Sequence, residues 1–153
     1  MINDREWVKH PEPVWRERSN YIANFDLDPS QYPFKWEQLW LRKLSDTDFE
    51  NCCIPFFAFG LHLGDIVTLT QDGIVESIVS PSGHWTLRLL FRQHFAHHDE
   101  VLRELESTGV QHERFSKSLY SLDTTSDDHA REVMSFLDSL KARDQIEYQT
   151  GWV

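Results

Sequence analysis

The first half of the chain is patterned with a period of two. In Trp36-Glu37-Gln38-Leu39-Trp40-Leu41-Arg42-Lys43-Leu44, one face takes Trp36, Gln38, Trp40, Arg42 and Leu44, and the other takes Glu37, Leu39, Leu41 and Lys43. That alternation predicts an amphipathic strand. The turn residues Ser45-Asp46-Thr47-Asp48 follow, and Phe49 to Ile54 reads as the antiparallel partner, halted by Pro55, which cannot continue a central strand. Asp65 to Thr70 and Ile74 to Val79 flank Gln71-Asp72-Gly73, a hairpin signal. Ahead of these, an arm to about Pro33 holds one short strand, Tyr21 to Leu27, and is expected to be packed because Trp15, Tyr21 and Phe25 need cover. Residues 1–84 therefore predict a small antiparallel sheet or partial barrel, closed off at Ser80-Pro81-Ser82-Gly83.

The second half changes rhythm. Strand Trp85 to Arg92 leads to a helix from about His97 to Thr108, with Val101, Leu102 and Leu105 on one side and Gly109 at its stop. Strands near Val110 to Phe115 and Leu119 to Asp123 come next. The cap signal Thr125-Ser126-Asp127-Asp128 then opens a helix whose Ala130, Val133, Met134, Leu137 and Leu140 keep helical spacing. A last strand spans Ile146 to Val153. This β-α-β-β-α-β order over residues 85–153 predicts a ferredoxin-like half, with two helices on one face of a four-stranded antiparallel sheet. The fold class is α+β, and the two halves are expected to form one compact unit.

Composition narrows the function. With 153 residues, 40% of them hydrophobic, the chain can bury a sizeable core. Residues 1–20 lack the apolar stretch of a secretory signal, and the run from Cys52 to Leu63 is too short to cross a bilayer and contains Pro55, Gly60 and His62. A soluble cytoplasmic protein is expected. Cys52 and Cys53, adjacent on a predicted strand, should point to opposite faces as buried thiols, not a disulfide. The net charge of −10 is spread over both parts: residues 1–92 hold 13 acids and 9 bases, residues 93–153 hold 12 and 6. Such a surface disfavours nucleic acid and would speed association with a basic protein, while simple solubility accounts for the same charge at least as well.

Four blocks carry a family likeness: Trp36-Glu37-Gln38-Leu39-Trp40, Cys53-Ile54-Pro55-Phe56-Phe57-Ala58-Phe59-Gly60, Leu63-Gly64-Asp65-Ile66-Val67 and Ser82-Gly83-His84-Trp85-Thr86-Leu87-Arg88. In this order they resemble an uncharacterised bacterial family, domain-of-unknown-function family 4265, over roughly Val14 to Tyr148. The resemblance implies no reaction. It draws attention to Pro55 to Phe59, an aromatic loop that either accepts a ligand or partner or plugs the junction between the halves; packing is the commoner use of such rings.

Other constellations are sparse. His94, His97 and His98 with Asp99 have spacings at which metal ligands can share a helix face, but no fourth ligand is evident. Ser82, Gly83 and His84, with Asp65 or His62, offer a hydroxyl, a base and an acid for hydrolysis, though no G-x-S-x-G elbow is present. Asp26 with Asp28 and Asp46 with Asp48 read as turn formers. No phosphate loop or dinucleotide fingerprint occurs, so no cofactor is expected. The sequence reading is a non-catalytic binding module that neutralises a basic partner such as a bacterial toxin. Its contact residues are taken from Trp36, Glu37, Phe56, Phe57, Phe59, Tyr120 and Asp123, acids and rings being the currency of such interfaces. The alternative is a small-molecule binder or hydrolase around His62, Asp65 and His84.

Overall fold

The structure is a computed structural model that describes residues 6–150. Six strands make the first sheet: β1 (Trp7–Val8), β2 (Tyr21–Asp26), β3 (Trp36–Lys43), β4 (Phe49–Asn51), β5 (Ile66–Leu69) and β6 (Val75–Ser80). β3 is its spine. β2 runs antiparallel along one side of it, from Tyr21 opposite Leu41 to Asp26 opposite Trp36. The other side is shared, with β1 parallel beside Trp36 and Glu37 and β4 antiparallel beside Leu41 to Lys43. β5 and β6 follow in order. The sheet curls until the turn of the β5–β6 hairpin meets β2, where the Asn24 N–H donates to the Gly73 carbonyl at 2.9 Å. One bridge does not close a barrel.

The expected alternation on β3 is present: Glu37, Leu39 and Leu41 are buried while Trp36, Gln38 and Trp40 are half-buried. Leu39 and Leu41 join Ala23, Phe49, Leu61 and Val67 in the core of this sheet.

Ile54 was expected to end β4, but the strand stops at Asn51. The Asn51 amide explains the early exit. Its Nδ2 donates to the carbonyls of Cys53 at 2.9 Å and His62 at 3.0 Å, so a side chain takes over backbone groups that a ladder would have paired. Residues 52–65 consequently form an irregular segment. Cys52 and Cys53 are not on opposite faces of a strand; both are free and fully buried in that segment.

The second sheet comprises β7 (Trp85–Phe91), β8 (Gln111–Arg114), β9 (Leu119–Thr124) and β10 (Ile146–Thr150), all antiparallel, in the order β10-β7-β9-β8. The helices α1 (His98–Ser107) and α2 (Asp127–Ala142) fall after β7 and β9, the succession read from the sequence. The Ser126 hydroxyl accepts the His129 N–H at 3.1 Å as the N-cap of α2. Val101, Leu102 and Leu105 of α1 and Val133, Leu137 and Leu140 of α2 pack on Leu87, Leu89, Phe91 and Leu122. Each such side chain contributes about 1.5–3 kcal/mol when fully buried.

The opposite face of this sheet is buried as well, and it is polar. Thr86, Arg88, Glu113, Ser121 and Asp123 all lie there, between 0% and 7% exposed. They meet the irregular segment: the Ser121 hydroxyl donates to the Ile54 carbonyl at 3.0 Å and Arg88 Nη1 to the Phe56 carbonyl at 2.9 Å. The two halves thus share a layer made of hydrogen bonds.

Candidate functional site

The aromatic loop is folded around a carboxylate. With Pro55 supplying no N–H, the next three backbone amides converge on Glu37: Phe56 N–H donates to Oε2 at 2.7 Å, and Phe57 and Ala58 N–H donate to Oε1 at 2.8 and 2.9 Å. Successive amides turned to one side make an anion cradle, here filled by the chain's own acid. Phe56 is buried, and Phe57 packs among Tyr32, Phe34 and Phe115. The loop is packing for the most part. Phe59, 38% exposed, is its displayed member.

Beside the cradle a histidine from the arm bridges both sheets. His10 Nε2 lies 2.6 Å from Glu37 Oε2 on β3, and Nδ1 lies 2.7 Å from Glu113 Oε1 on β8. The Ile54 N–H adds a 2.6 Å bond to Glu113 Oε2, and the His10 ring stacks on Phe56 at 4.5 Å. Burial works against a charge on His10, but the Cys53 sulfur and the Glu113 and Glu37 carboxylates outweigh it and hold its pKa well above the ordinary 6.5. An imidazolium between two carboxylates is the state that satisfies all three. Burial also raises both thiols, Cys52 to about 12, so neither is a thiolate nucleophile near neutrality.

A second cluster lies where β6 gives way to β7. Asp65 accepts the His62 N–H at 2.8 Å on one oxygen and the Ser82 N–H at 2.8 Å on the other. The Ser82 hydroxyl donates to the Leu63 carbonyl at 2.7 Å and accepts the His84 N–H at 3.1 Å. Thus the expected acid and hydroxyl hold the turn together, and neither touches an imidazole. The His62 ring turns to Thr86, with Nδ1 2.8 Å from the hydroxyl and accepting the Thr86 N–H at 3.2 Å. His84 pairs instead with Asp123, Nδ1 lying 2.9 and 3.0 Å from its two oxygens. That bond raises the His84 pKa against the pull of burial, whereas burial lowers that of His62. The hydrolytic arrangement of Ser82, His84, Asp65 and His62 is therefore not assembled, since it needs a hydroxyl hydrogen-bonded to a base.

Several expected contact residues are also turned inward. Glu37, Asp123, Phe56 and Tyr120 are 0%, 1%, 1% and 7% exposed, and so offer nothing to an outside partner. The half-buried Trp36 packs against Trp7, with ring centres 4.9 Å apart and planes tilted by 32°. His98 spends its ring on Phe91, at 4.0 Å, and its Nε2 on the Phe95 carbonyl, at 2.9 Å, while His94 and His97 are exposed. Among the described residues no three His, Cys, Asp or Glu side chains are grouped to hold a metal, which removes the His94, His97, His98 reading. Asp28 accepts the Ser30 N–H and hydroxyl, the turn role expected of it.

The arrangement that the structure does present, buried acids of the irregular segment and the sheets knitting two halves together, coincides with the stretch matched by a family model. Residues 37–148 match Domain of unknown function (DUF4265). The chain belongs to this family. No curated protein matches. Among solved structures, the chain is similar to a hypothetical protein from Neisseria gonorrhoeae, with a TM-score of 0.73 at 18% identity over 86% of this chain and 93% of that one. At that identity the likeness is one of fold. The family match spans Glu37, the cradle, His62 to Asp123 and Glu113, but not His10.

His10, Glu113 and Arg88 are the residues of consequence that the sequence reading did not single out. His10 sits in the Pro-punctuated arm, and Glu113 in a strand whose QHER sequence carries no apolar alternation. Arg88 does carry a signal: it interrupts the otherwise apolar Leu87-Arg88-Leu89-Leu90-Phe91, and a charge within such a run marks a buried polar position.

Proposed function

We propose that this protein is a non-catalytic binding module for a basic protein partner, as an immunity protein is for a toxin. The observation that carries the reading is the outer face of the layer formed by α1 and α2 on the second sheet. Asp99, Glu100, Glu104 and Glu106 on α1 and Asp127, Asp128, Glu132 and Asp138 on α2 are all exposed, against Arg103, Arg131 and Lys141 within the same two helices. An excess of one sign of charge accelerates encounter with a partner of the other. The Glu37 and Asp65 carboxylates are committed to backbone N–H groups and the Ser82 hydroxyl to the Leu63 carbonyl, which supports the same reading. A cytoplasmic location is part of this proposal; separately, no described helix is long and apolar enough to cross a membrane.

The test uses two baits, the native chain and a variant carrying Asp99→Lys, Glu100→Lys, Glu104→Lys and Glu106→Lys, in capture from the host at low and high salt. The native chain is expected to retain a basic protein that high salt releases and that the variant fails to hold. Equal retention by both baits, or no basic protein on the native one, overturns the reading.

A further inference from the structure

The second sheet ends on one side at β8, and the register there leaves a row of backbone groups unpaired. The Phe115 N–H donates to the Leu119 carbonyl at 2.9 Å, which sets the alternation of the antiparallel pair. Ladder bonds to β9 fall at Gln111 and Glu113, whereas the N–H and C=O of His112 and Arg114 point away from β9. No described group hydrogen-bonds those four. Such an edge is a template for another strand, and natural sheets usually block or cover it.

The arm passes beside β8 without pairing to it. Its Pro11 and Pro13 have no N–H at the alternate positions that would donate to a neighbouring strand. It is tied instead to the Glu113 carboxylate, by His10 Nδ1 at 2.7 Å and by the Val14 N–H at 3.4 Å. Between arm and edge lies a cavity of about 430 Å3, lined by Pro11, Glu12, Leu102 and the consecutive residues His112, Glu113 and Arg114. Consecutive strand residues send their side chains to opposite faces, so what these three share with one cavity is the backbone edge. Tyr120 lines it too, buried but with a hydroxyl that has no hydrogen-bond partner and is not sealed from solvent. The rim is acidic: Glu12 is exposed, and so are Asp99 and Glu106, which share the face of α1 that carries Leu102. Arg114 is the one lysine or arginine lining the cavity, and its Nε donates to the Ser116 carbonyl at 2.9 Å.

We propose that β8 accepts an extended, basic segment of another protein as a fifth strand of the second sheet. Main-chain bonds to His112 and Arg114 hold the segment, and a side chain on its helix-facing side rests on Leu102 and meets the Tyr120 hydroxyl. Its lysines and arginines face Glu12, Asp99 and Glu106. A second copy of this chain is the poorer occupant, because two molecules of net charge −10 repel each other. The inference rests on the basic-partner reading for the sign of the occupant and goes beyond it in naming strand addition at one edge.

The test selects random decapeptides displayed on phage against the native full-length protein. The best binder is then synthesised plain and in two N-methylated forms, each blocking one of the two edges of an extended chain. It is expected to carry more bases than acids and to move the amide resonances of His112 and Arg114 in nitrogen-edited NMR. One N-methylated form, the one that blocks the edge turned to β8, should bind at least tenfold more weakly, and the other should bind like the plain peptide. Arg114→Pro removes an N–H that no ladder bond uses and is expected to weaken binding at least tenfold; should it not fold, the two N-methylated forms decide on the native chain. No binder, a binder indifferent to N-methylation, or a native dimer that Arg114→Pro abolishes overturns the proposal. Shifts confined to α1 and α2 overturn strand addition and uphold the basic-partner reading, whereas a binder on β8 without an excess of bases overturns the proposal through its charge.

Discussion

His10 has the most to lose from a single change. It stands 2.6 and 2.7 Å from two carboxylates, all three residues no more than 4% exposed. Removing one partner from a buried ionic group costs about 3–5 kcal/mol because the remaining charges are left uncompensated. His10→Leu is expected to lose that much in urea unfolding, against a usual total of about 5–15 kcal/mol. A pH dependence follows from the same residue. Because the folded pKa of His10 lies above its ordinary value, its stabilisation is fully present below pH 6.5 and is lost as pH rises through the folded value. His84, raised by Asp123, acts with the same sign. Tm is therefore expected to fall as pH rises above 6.5, and in His84→Gln that fall should be shallower; a slope identical to that of the native chain would refute the contribution of His84. The sequence presented Glu37 as an interface acid because Trp36 adjoins it. What fixed its real position, a histidine 27 residues earlier and three amides about 20 residues later, cannot be seen in any local window.

Elements were more legible than contacts. The strand alternation of β3, the hairpin turn at Gly73 and the helix cap at Ser126 are local physical devices, and each appears where the sequence put it. β1 went unseen because two residues carry no period, and β4 was read too long because the Asn51 side chain replaces its ladder. The glycines at two turns separate conformational from steric demand. Gly73 has φ +76 with open space around it, so Gly73→Ala is expected to cost only the left-handed penalty of about 1–2 kcal/mol. Gly64 has φ +86, and an added Cβ would lie 3.1 Å from the Ser82 Cβ and 3.4 Å from the Trp15 ring. Gly64→Ala should therefore destabilise more than Gly73→Ala in the same denaturation assay. Equal losses would show that the Ser82 turn yields freely.

At the scale of the whole molecule, the shared polar layer argues for one cooperative unit. Four of the six tryptophans, Trp7, Trp15, Trp36 and Trp40, lie in the first half, and both helices lie in the second. Tryptophan fluorescence and far-ultraviolet circular dichroism thus report mainly on different halves. Their thermal transitions are expected to coincide; separation by several degrees would mean that the halves unfold independently. The sequence showed the two patterns and the place where one yields to the other. Apart from Arg88 it did not show that the far face of the second sheet is buried, because Thr86, Ser121 and Asp123 are short polar side chains that suit a solvated sheet face equally well.

The clamp on His10 also sets a timetable for a chain still leaving the ribosome. Glu37 can find its amides at Phe56 to Ala58 early, but the Ile54 N–H and His10 Nδ1 must wait for Glu113, 59 and 103 residues further on. Domains made first generally fold first, yet here the earlier-made half keeps His10 Nδ1 and the Ile54 N–H without their partner until β8 has emerged. Synthesis that stalls before Glu113 should leave a nascent chain whose first sheet core can form but whose arm, with His10 lacking its second carboxylate, is open to proteolysis.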